Sequence, residues 1–348
     1  MKNKPTSVIR RDLLLASALG AIGAVGLPLV AAAPARAEGT RRKLIWVPQA
    51  LGDWDTAFQV GAKDFCELAG WDYQRIGNPS YSVENHVEGV NNAIAAKADV
   101  VLTELESQGL APAFQRGIAA GVTMVIVDQG IEAEAAKFGL GIINQDEYNA
   151  GTLNGWQAAK FAQKLTKKTS GTIVLGNGNP GSTSIDKRQN GSKAGIEAYN
   201  KANGTTYAFE AYPDGSFDEL TASIQKWEAK FDKYGDDLVG AIGTGNPTPI
   251  YQAMQERGMK PGSIAVGSTD IPPAHQQAIL DGWVQWGIDQ QFYLMGYYAA
   301  ASAYATKESS YPYCTVKTGG EVVTADNLKG VQARTEIWLR KAKKYGFV

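Results

Sequence analysis

The chain has few of the residues on which most enzyme chemistry depends. Its 348 residues include two histidines, His86 and His275, and two cysteines, Cys66 and Cys314. It has no Gly-x-Ser-x-Gly elbow, no His-Glu-x-x-His pair and no Cys-x-x-Cys site. These absences remove the usual signatures of nucleophile-elbow hydrolases, zinc proteases and thiolate metal centres, so neither a metal nor a cofactor is expected. The loop Gly176-Asn177-Gly178-Asn179-Pro180-Gly181 lacks the final spacing of a dinucleotide fingerprint and is not the first strand-to-helix turn. An excess of positive charge is also missing. The formal net charge is −1, which speaks against a nucleic-acid partner, because that needs a basic footprint. Both histidines fall in helix-like segments without a partner motif, and His86, beside Asn85 and Glu88, reads as solvent-exposed. The two cysteines lie far apart, and sequence does not fix whether they pair. Cys66 reads as a buried free thiol on an apolar helix face.

What is present begins with a leader. Lys2, Lys4 and Arg10-Arg11 precede a soft apolar stretch from Leu13 to Ala33, which Gly20, Gly23, Gly26 and Pro28 interrupt. Ala35-Arg36-Ala37 then offers a small-x-small cleavage site. Residues 1–37 are therefore expected to be a signal peptide and not a membrane anchor, and Arg10-Arg11-Asp12-Leu13-Leu14 resembles a twin-arginine export signal. With no Cys at the cleavage point, a lipid anchor is not expected. The leader holds five basic residues and one acid, so the exported part carries about −5. It should be soluble and periplasmic.

The remaining stretch of about 310 residues is long enough for two domains with real cores. Strand and helix signals alternate along it. Lys43 to Val47 reads as a strand, about Asp55 to Ala69 as a helix closed by Gly70, and Trp71 to Ile76 as a strand. Ser82 can cap a helix carrying Val83, Val87, Val90 and Ile94. Val122-Thr123-Met124-Val125-Ile126-Val127-Asp128-Gln129 is an apolar, largely β-branched run that ends on a carboxylate and an amide. It predicts a strand buried on both faces of a parallel sheet. The same pattern recurs at Val239 to Ile242 before Asn246, at Ile264 to Val266 before Asp270, and at Trp286 to Ile288 before Asp289-Gln290. A helix is expected from Phe217 to about Lys233, and helical character from Val331 to Tyr345. There are too many βα units for one small sheet, so the economical arrangement is two similar α/β lobes with a cleft between them. Ligands of open α/β sheets bind at the carboxyl ends of the strands, where this chain puts its Asp, Asn and Gln residues. Carboxylates and amides suit the hydroxyls of a neutral polyhydroxylated ligand, and aromatic rings suit its C–H face.

These residues resemble the ribose/galactose-type sugar-binding proteins of bacterial ABC importers, of the type I periplasmic binding fold, over nearly all of the chain after the leader. In that resemblance Asp128 and Gln129 stand where the family has an Asp-Arg pair gripping sugar hydroxyls, with Gln129 replacing the Arg. Asn144-Gln145-Asp146 is similar to the first crossing between lobes, which makes Asp146 a ligand candidate. Arg188, in Arg188-Gln189-Asn190-Gly191, is similar to a cleft-facing arginine at a helix start. Asn246, Asp270 and Gln290 stand at the other strand ends, and Trp54 falls where the family carries a Phe on the sugar ring. Thr103-Glu104-Leu105-Glu106 departs from the family pattern and adds acids near the cleft. Plainer roles stay open: Asp128 as a cap, Arg188 as a surface residue pairing with Asp186 or Glu197, Asn246 as an N-cap before Pro247. The aromatic group Phe292, Tyr293, Tyr297 and Tyr298 has helical spacing and reads as packing.

The resemblance implies two doubly wound parallel-sheet lobes joined by a three-strand hinge. The first lobe would comprise 41–143 plus 290–310, and the second 144–289 plus 311–348. The crossings would fall near Gln129–Ile143, near Gln290 and near Tyr311–Cys314. The implied function is a monomeric, non-catalytic periplasmic binding protein that captures a monosaccharide or polyol and delivers it to an ABC permease. Two rivals are a sugar-sensing subunit for a chemoreceptor or histidine kinase and an enzyme exported by the twin-arginine route.

Overall fold

The computed structural model describes residues 41–348 except 53, 179 and 215–218. The signal peptide, its arginine pair and its cleavage site lie outside the described residues, as does the expected helix start at Phe217.

Five strands come first: β1 (Lys43–Val47), β2 (Asp72–Arg75), β3 (Val100–Leu105), β4 (Thr123–Gly130) and β5 (Ile142–Gln145). Five more follow helix Glu147–Thr166: β6 (Ser170–Gly176), β7 (Thr206–Tyr212), β8 (Leu238–Gly243), β9 (Ala265–Thr269) and β10 (Trp286–Asp289). After helix Phe292–Ser309 come two short strands, β11 (Val316–Thr318) and β12 (Glu321–Val323), and then helix Leu328–Tyr345. They form two six-stranded sheets, ordered β11-β5-β4-β3-β1-β2 and β12-β10-β9-β8-β6-β7. Apart from the antiparallel β10–β12 pair, neighbours run parallel. The expected fold class, two lobes of doubly wound parallel sheet, is the one observed.

The apolar runs become strands because helices cover both faces of each sheet. Every residue of β3, β4 and β8 is buried. Alternation then divides each strand between two cores. In the first lobe Trp46, Leu102, Val125 and Val127 pack on one side, and Val47, Val101, Met124 and Ile126 on the other. The helix ends follow the expected chemistry. Gly70 closes helix Thr56–Ala69 at φ 69, and the Ser82 hydroxyl accepts from the Asn85 amide. Cys66 is buried and free, Cys314 exposed and free, and burial pushes the Cys66 thiol up to about 12. In the second lobe, helices Glu147–Thr166 and Thr183–Asn203 touch backbone to backbone. A Cβ at Gly151 would lie 2.1 Å from the Arg188 carbonyl oxygen, and one at Gly191 2.1 Å from that of Tyr148. That contact sets Arg188 beside Glu147.

The first crossing lies in the Asn144-Gln145-Asp146 segment that the resemblance marked, just past Gln129–Ile143, and the third crossing differs from the expectation. β5 runs to Gln145 and β11 pairs with it in the first sheet, so the first crossing falls at Asp146 and residues 316–318 belong with the first lobe. The third crossing is Gly319-Gly320, not Tyr311–Cys314. Only three residues of β11 pair, too few to leave a periodic signal. The crossings meet at Gly319, whose φ is +76 and whose Cβ would lie 2.8–2.9 Å from Gln145 Nε2, the Asp289 oxygen and Gln290 Cα. Gly320 N donates to the Asp289 carbonyl and Thr318 Oγ1 to the Gln290 carbonyl.

His86 also differs. It is 1% exposed, with Nδ1 2.9 Å from Glu106 Oε1 and Nε2 2.7 Å from Thr103 Oγ1. Its polar sequence neighbours face outward, whereas His86 shares the inner helix face with Gly89, Val90 and Ala93.

Candidate functional site

A cavity of about 890 Å³ opens between the lobes. The carboxyl end of β4 brings Asp128 and Gln129 to it, and the loops after β8 and β9 bring Asn246 and Asp270. Gln290 arrives from the second crossing, Arg188 from helix Thr183–Asn203, and Trp54 from the loop after β1. Asp146 stands apart. It is not among the lining residues, and its carboxylate caps its own helix, accepting from Asn149 N at 3.1 Å and Asn149 Nδ2 at 2.7 Å. The residue after it, Glu147, does not line the cavity either but holds Arg188, which does.

Arg188 is 4% exposed. Its Nε and Nη2 both donate to the Glu147 carboxylate, a two-pronged pairing that suits a buried guanidinium. Nη2 also donates to Gln290 Oε1 at 2.8 Å, and Gln290 Nε2 donates to Asp270 Oδ1 at 2.5 Å. Arginine only donates and a carboxylate only accepts, so this chain fixes which way the amide points. Burial alone would lower the Arg188 pKa, but Glu147, Asp270 and Asp128 more than offset it, and the group stays above its ordinary value.

The two acids at the strand ends share an uncommon backbone. Asp128 has φ 55 and Asp270 φ 72, a left-handed region that Asp enters more readily than most residues. Such outliers concentrate where a binding site holds them in place. Asp128 is buried and its Oδ1 has no partner among the described residues. Burial pushes its carboxyl up to about 7; Arg188 pulls it down, while Glu147, Asp270 and Glu106 push it further up. Asp270 is raised to about 6, again chiefly by burial. With Arg188 held by Glu147, the two carboxylates give the cavity an acceptor-rich floor.

Gln129 Oε1 accepts from Ser182 Oγ across the cleft at 2.9 Å. The Ser182 side chain therefore links the lobes instead of capping its own helix. Asn246 lines the cavity while its Oδ1 accepts from Thr248 N at 3.0 Å, so capping and cleft exposure coexist. The Trp54 ring meets Phe292 edge-on at 5.7 Å. Glu104 and Glu106 are buried behind the wall of the cavity: Glu104 Oε2 accepts from Gln49 N, and Glu106 Oε1 faces His86. Burial raises Glu104 well above its ordinary value.

Four features of the site escaped the sequence reading. Glu147 and Ser182 were hidden because their roles depend on how two helices and two lobes meet. Phe292 and Tyr293 line the cavity as well as packing. Helix Leu328–Tyr345 contributes a wall through Val331, Thr335 and Trp338; the helical spacing of Leu328, Val331, Trp338 and Ala342 could have pointed to a buried face. Among the described residues no group of three or more His, Cys, Asp or Glu could hold a metal ion.

Two α/β lobes whose polar strand ends converge on a shared cavity define a ligand-clasping binding protein. The chain belongs to the family of the periplasmic binding protein domain, whose model matches residues 44–309; this is a family of binding proteins, not enzymes. It is similar to the xylose/arabinose-binding protein XylF of Sulfolobus acidocaldarius, with 24% identity over 288 residues, 78% of this chain and 68% of that protein. Its fold is similar to that of GanP, a glucose-galactose binding protein from Geobacillus stearothermophilus, with TM-score 0.70, 18% identity, 83% of this chain and 99% of that one covered. A carbohydrate transporter structure from Acidothermus cellulolyticus, in complex with myo-inositol, gives TM-score 0.69 at 20% identity, covering 86% and 99%.

Proposed function

We propose that the protein is the substrate-binding component of an ABC importer, taking a neutral monosaccharide or polyol between its lobes and delivering it to a membrane permease. The observation that carries this is the pair of carboxylates at strand ends, Asp128 buried and Asp270 half-buried, with Arg188 and Gln290 between them. Sugar hydroxyls donate to such acceptors, and each hydrogen bond to a charged group is worth about 1.5–3 kcal/mol. The names of XylF, GanP and the inositol complex support the same ligand class. In this reading Trp54, Gln129 and Asn246 complete the contacts, while Asp146 remains a helix cap. The chain is exported by its twin-arginine leader and works as a monomer in the periplasm; among the described residues no helix is long and apolar enough to cross a membrane.

A thermal-shift screen over pentoses, hexoses and polyols tests the reading, because a ligand that binds only the folded state raises Tm. The strongest hit is then titrated calorimetrically into wild type and Asp128→Ala. The variant is expected to keep its fold and lose binding by at least about a hundredfold, two such hydrogen bonds' worth. Unchanged affinity would remove Asp128 from the site.

A further inference from the structure

The cavity is larger than a single sugar ring requires. Pockets of roughly 300–1,000 Å³ enclose drug-sized ligands, whereas a hexose has only about twelve heavy atoms; this one measures about 890 Å³. The volume does not come from lobes held wide apart. Ser182 reaches Gln129 across the cleft and Lys187 reaches Glu132 at 3.0 Å, so the lobes already touch.

The excess space has its own lining. The polar groups close on one another, Arg188 to Gln290 to Asp270. Ile271, Pro272, Ile337 and Trp338 also line the cavity. The last two come from helix Leu328–Tyr345, which lies beyond residues 44–309 that match the family model. This helix is tied to groups outside the polar chain: Arg334 donates to Asp289 and Glu321, and Lys341 and Tyr345 donate to Asp64. Ile337 is 49% exposed and Trp338 is partly exposed at the cavity. A branched apolar residue and an indole left uncovered on a cavity wall are surface that a ligand can cover.

We infer that the cavity holds a second subsite, walled by Trp338 and Ile337 of the C-terminal helix with Ile271 and Pro272, and that the ligand is a sugar carrying a second ring. One ring engages the carboxylates; the other, a linked sugar or an aromatic aglycone, lies against the indole. Both sources present a flat apolar face to an aromatic ring. The inference rests on the sugar-binding reading above and enlarges its ligand from a single sugar ring to two rings.

The test uses the full chain and matched probes of D-glucose, D-galactose and D-xylose: the free sugar, its phenyl β-glycoside, and cellobiose, lactose or xylobiose. Calorimetry on wild type, Trp338→Ala and Trp338→Phe should show at least one two-ring probe binding about tenfold or more tighter than its free sugar. Trp338→Ala should erase that gain, costing the two-ring probe about tenfold more affinity than it costs the free sugar, and Trp338→Phe should retain most of the gain. The phenyl and disaccharide arms tell an aglycone from a second sugar. Free sugars that bind while no two-ring probe binds tighter would overturn the second subsite and leave the sugar site standing, as would a gain that survives Trp338→Ala. Wild type that binds no probe of either kind would overturn the second subsite, and the proposed function would fall with it if the thermal-shift screen over pentoses, hexoses and polyols is also negative.

Discussion

At the scale of the residue, Asp128 couples the site to pH. Its carboxyl is held at about 7, mainly by burial, with Arg188, Glu147, Asp270 and Glu106 as the charged groups acting on it. An unfolded Asp titrates near about 3.9. Between those values the folded protein holds a proton that the unfolded chain releases. The contribution of Asp128 to the stability of the unliganded fold is therefore greatest at the acid end of the window and is lost as pH rises through about 7, with a slope approaching about 1.4 kcal/mol per pH unit from this group. Asp270, raised to about 6, adds to the same trend. Ligand binding runs the other way, because hydroxyls donate to the ionised carboxylate. Urea unfolding of the unliganded protein at pH 5 and pH 7 should show the loss, and Asp128→Asn should shrink it. An equal pH difference in the variant would place the effect elsewhere.

At the scale of the element, the strands and most helix ends were legible because their determinants are local. The run Thr123 to Val127 is β-branched and apolar, Gly70 terminates its helix, and Ser82 caps the next. At the site, Asp128, Gln129, Asn246 and Asp270 were legible for a related reason: strand ends are local features, and the fold brings them together. The parts that were not legible depend on distant partners. His86 is buried because Glu106 and Thr103, on or just past another strand, supply its hydrogen bonds. The third crossing rests on β11, a strand too short to show a period. Helix Leu328–Tyr345 showed its helicity in the sequence but not its role. It hydrogen-bonds the second lobe through Thr335, which accepts from Gln276 at 2.8 Å, and the first lobe through Asp64, which accepts from Lys341, Tyr345 and Tyr293. Asp64→Ala removes the first-lobe anchor. Hydrogen exchange should speed up across residues 328–345, and stability should fall by about 1–3 kcal/mol, the scale of a hydrogen-bonded charged group. Unaltered exchange there would show that the helix holds without this anchor.

At the scale of the whole molecule, the cleft is clasped by weak contacts and a tight pivot. The Lys187–Glu132 pair is exposed, and such pairs contribute about 0–1 kcal/mol; the Gln129–Ser182 hydrogen bond is of similar size. Moving a population from 1:99 to 99:1 takes about 5.5 kcal/mol of differential binding, more than these contacts supply even with the Asp64 anchor of helix Leu328–Tyr345 added. Contacts from a ligand to both lobes supply the rest, so the unliganded molecule should populate open forms that ligand removes. Opening must turn about the three crossings, which converge where Gly319 leaves no side chain between Gln145, Asp289 and Gln290. An alanine there is strained twice, by φ +76 and by Cβ contacts of 2.8–2.9 Å with backbone and side chain. It should force the crossings apart and bias the lobes away from the closed geometry. Small-angle scattering of wild type should show the radius of gyration fall when saturating ligand is added. Gly319→Ala should show a larger unliganded radius and weaker binding, although it does not touch the Asp128 carboxylate. Equal wild-type radii with and without ligand would mean that the lobes do not close on what they bind, and a Gly319→Ala protein with wild-type affinity would mean that the pivot lies elsewhere.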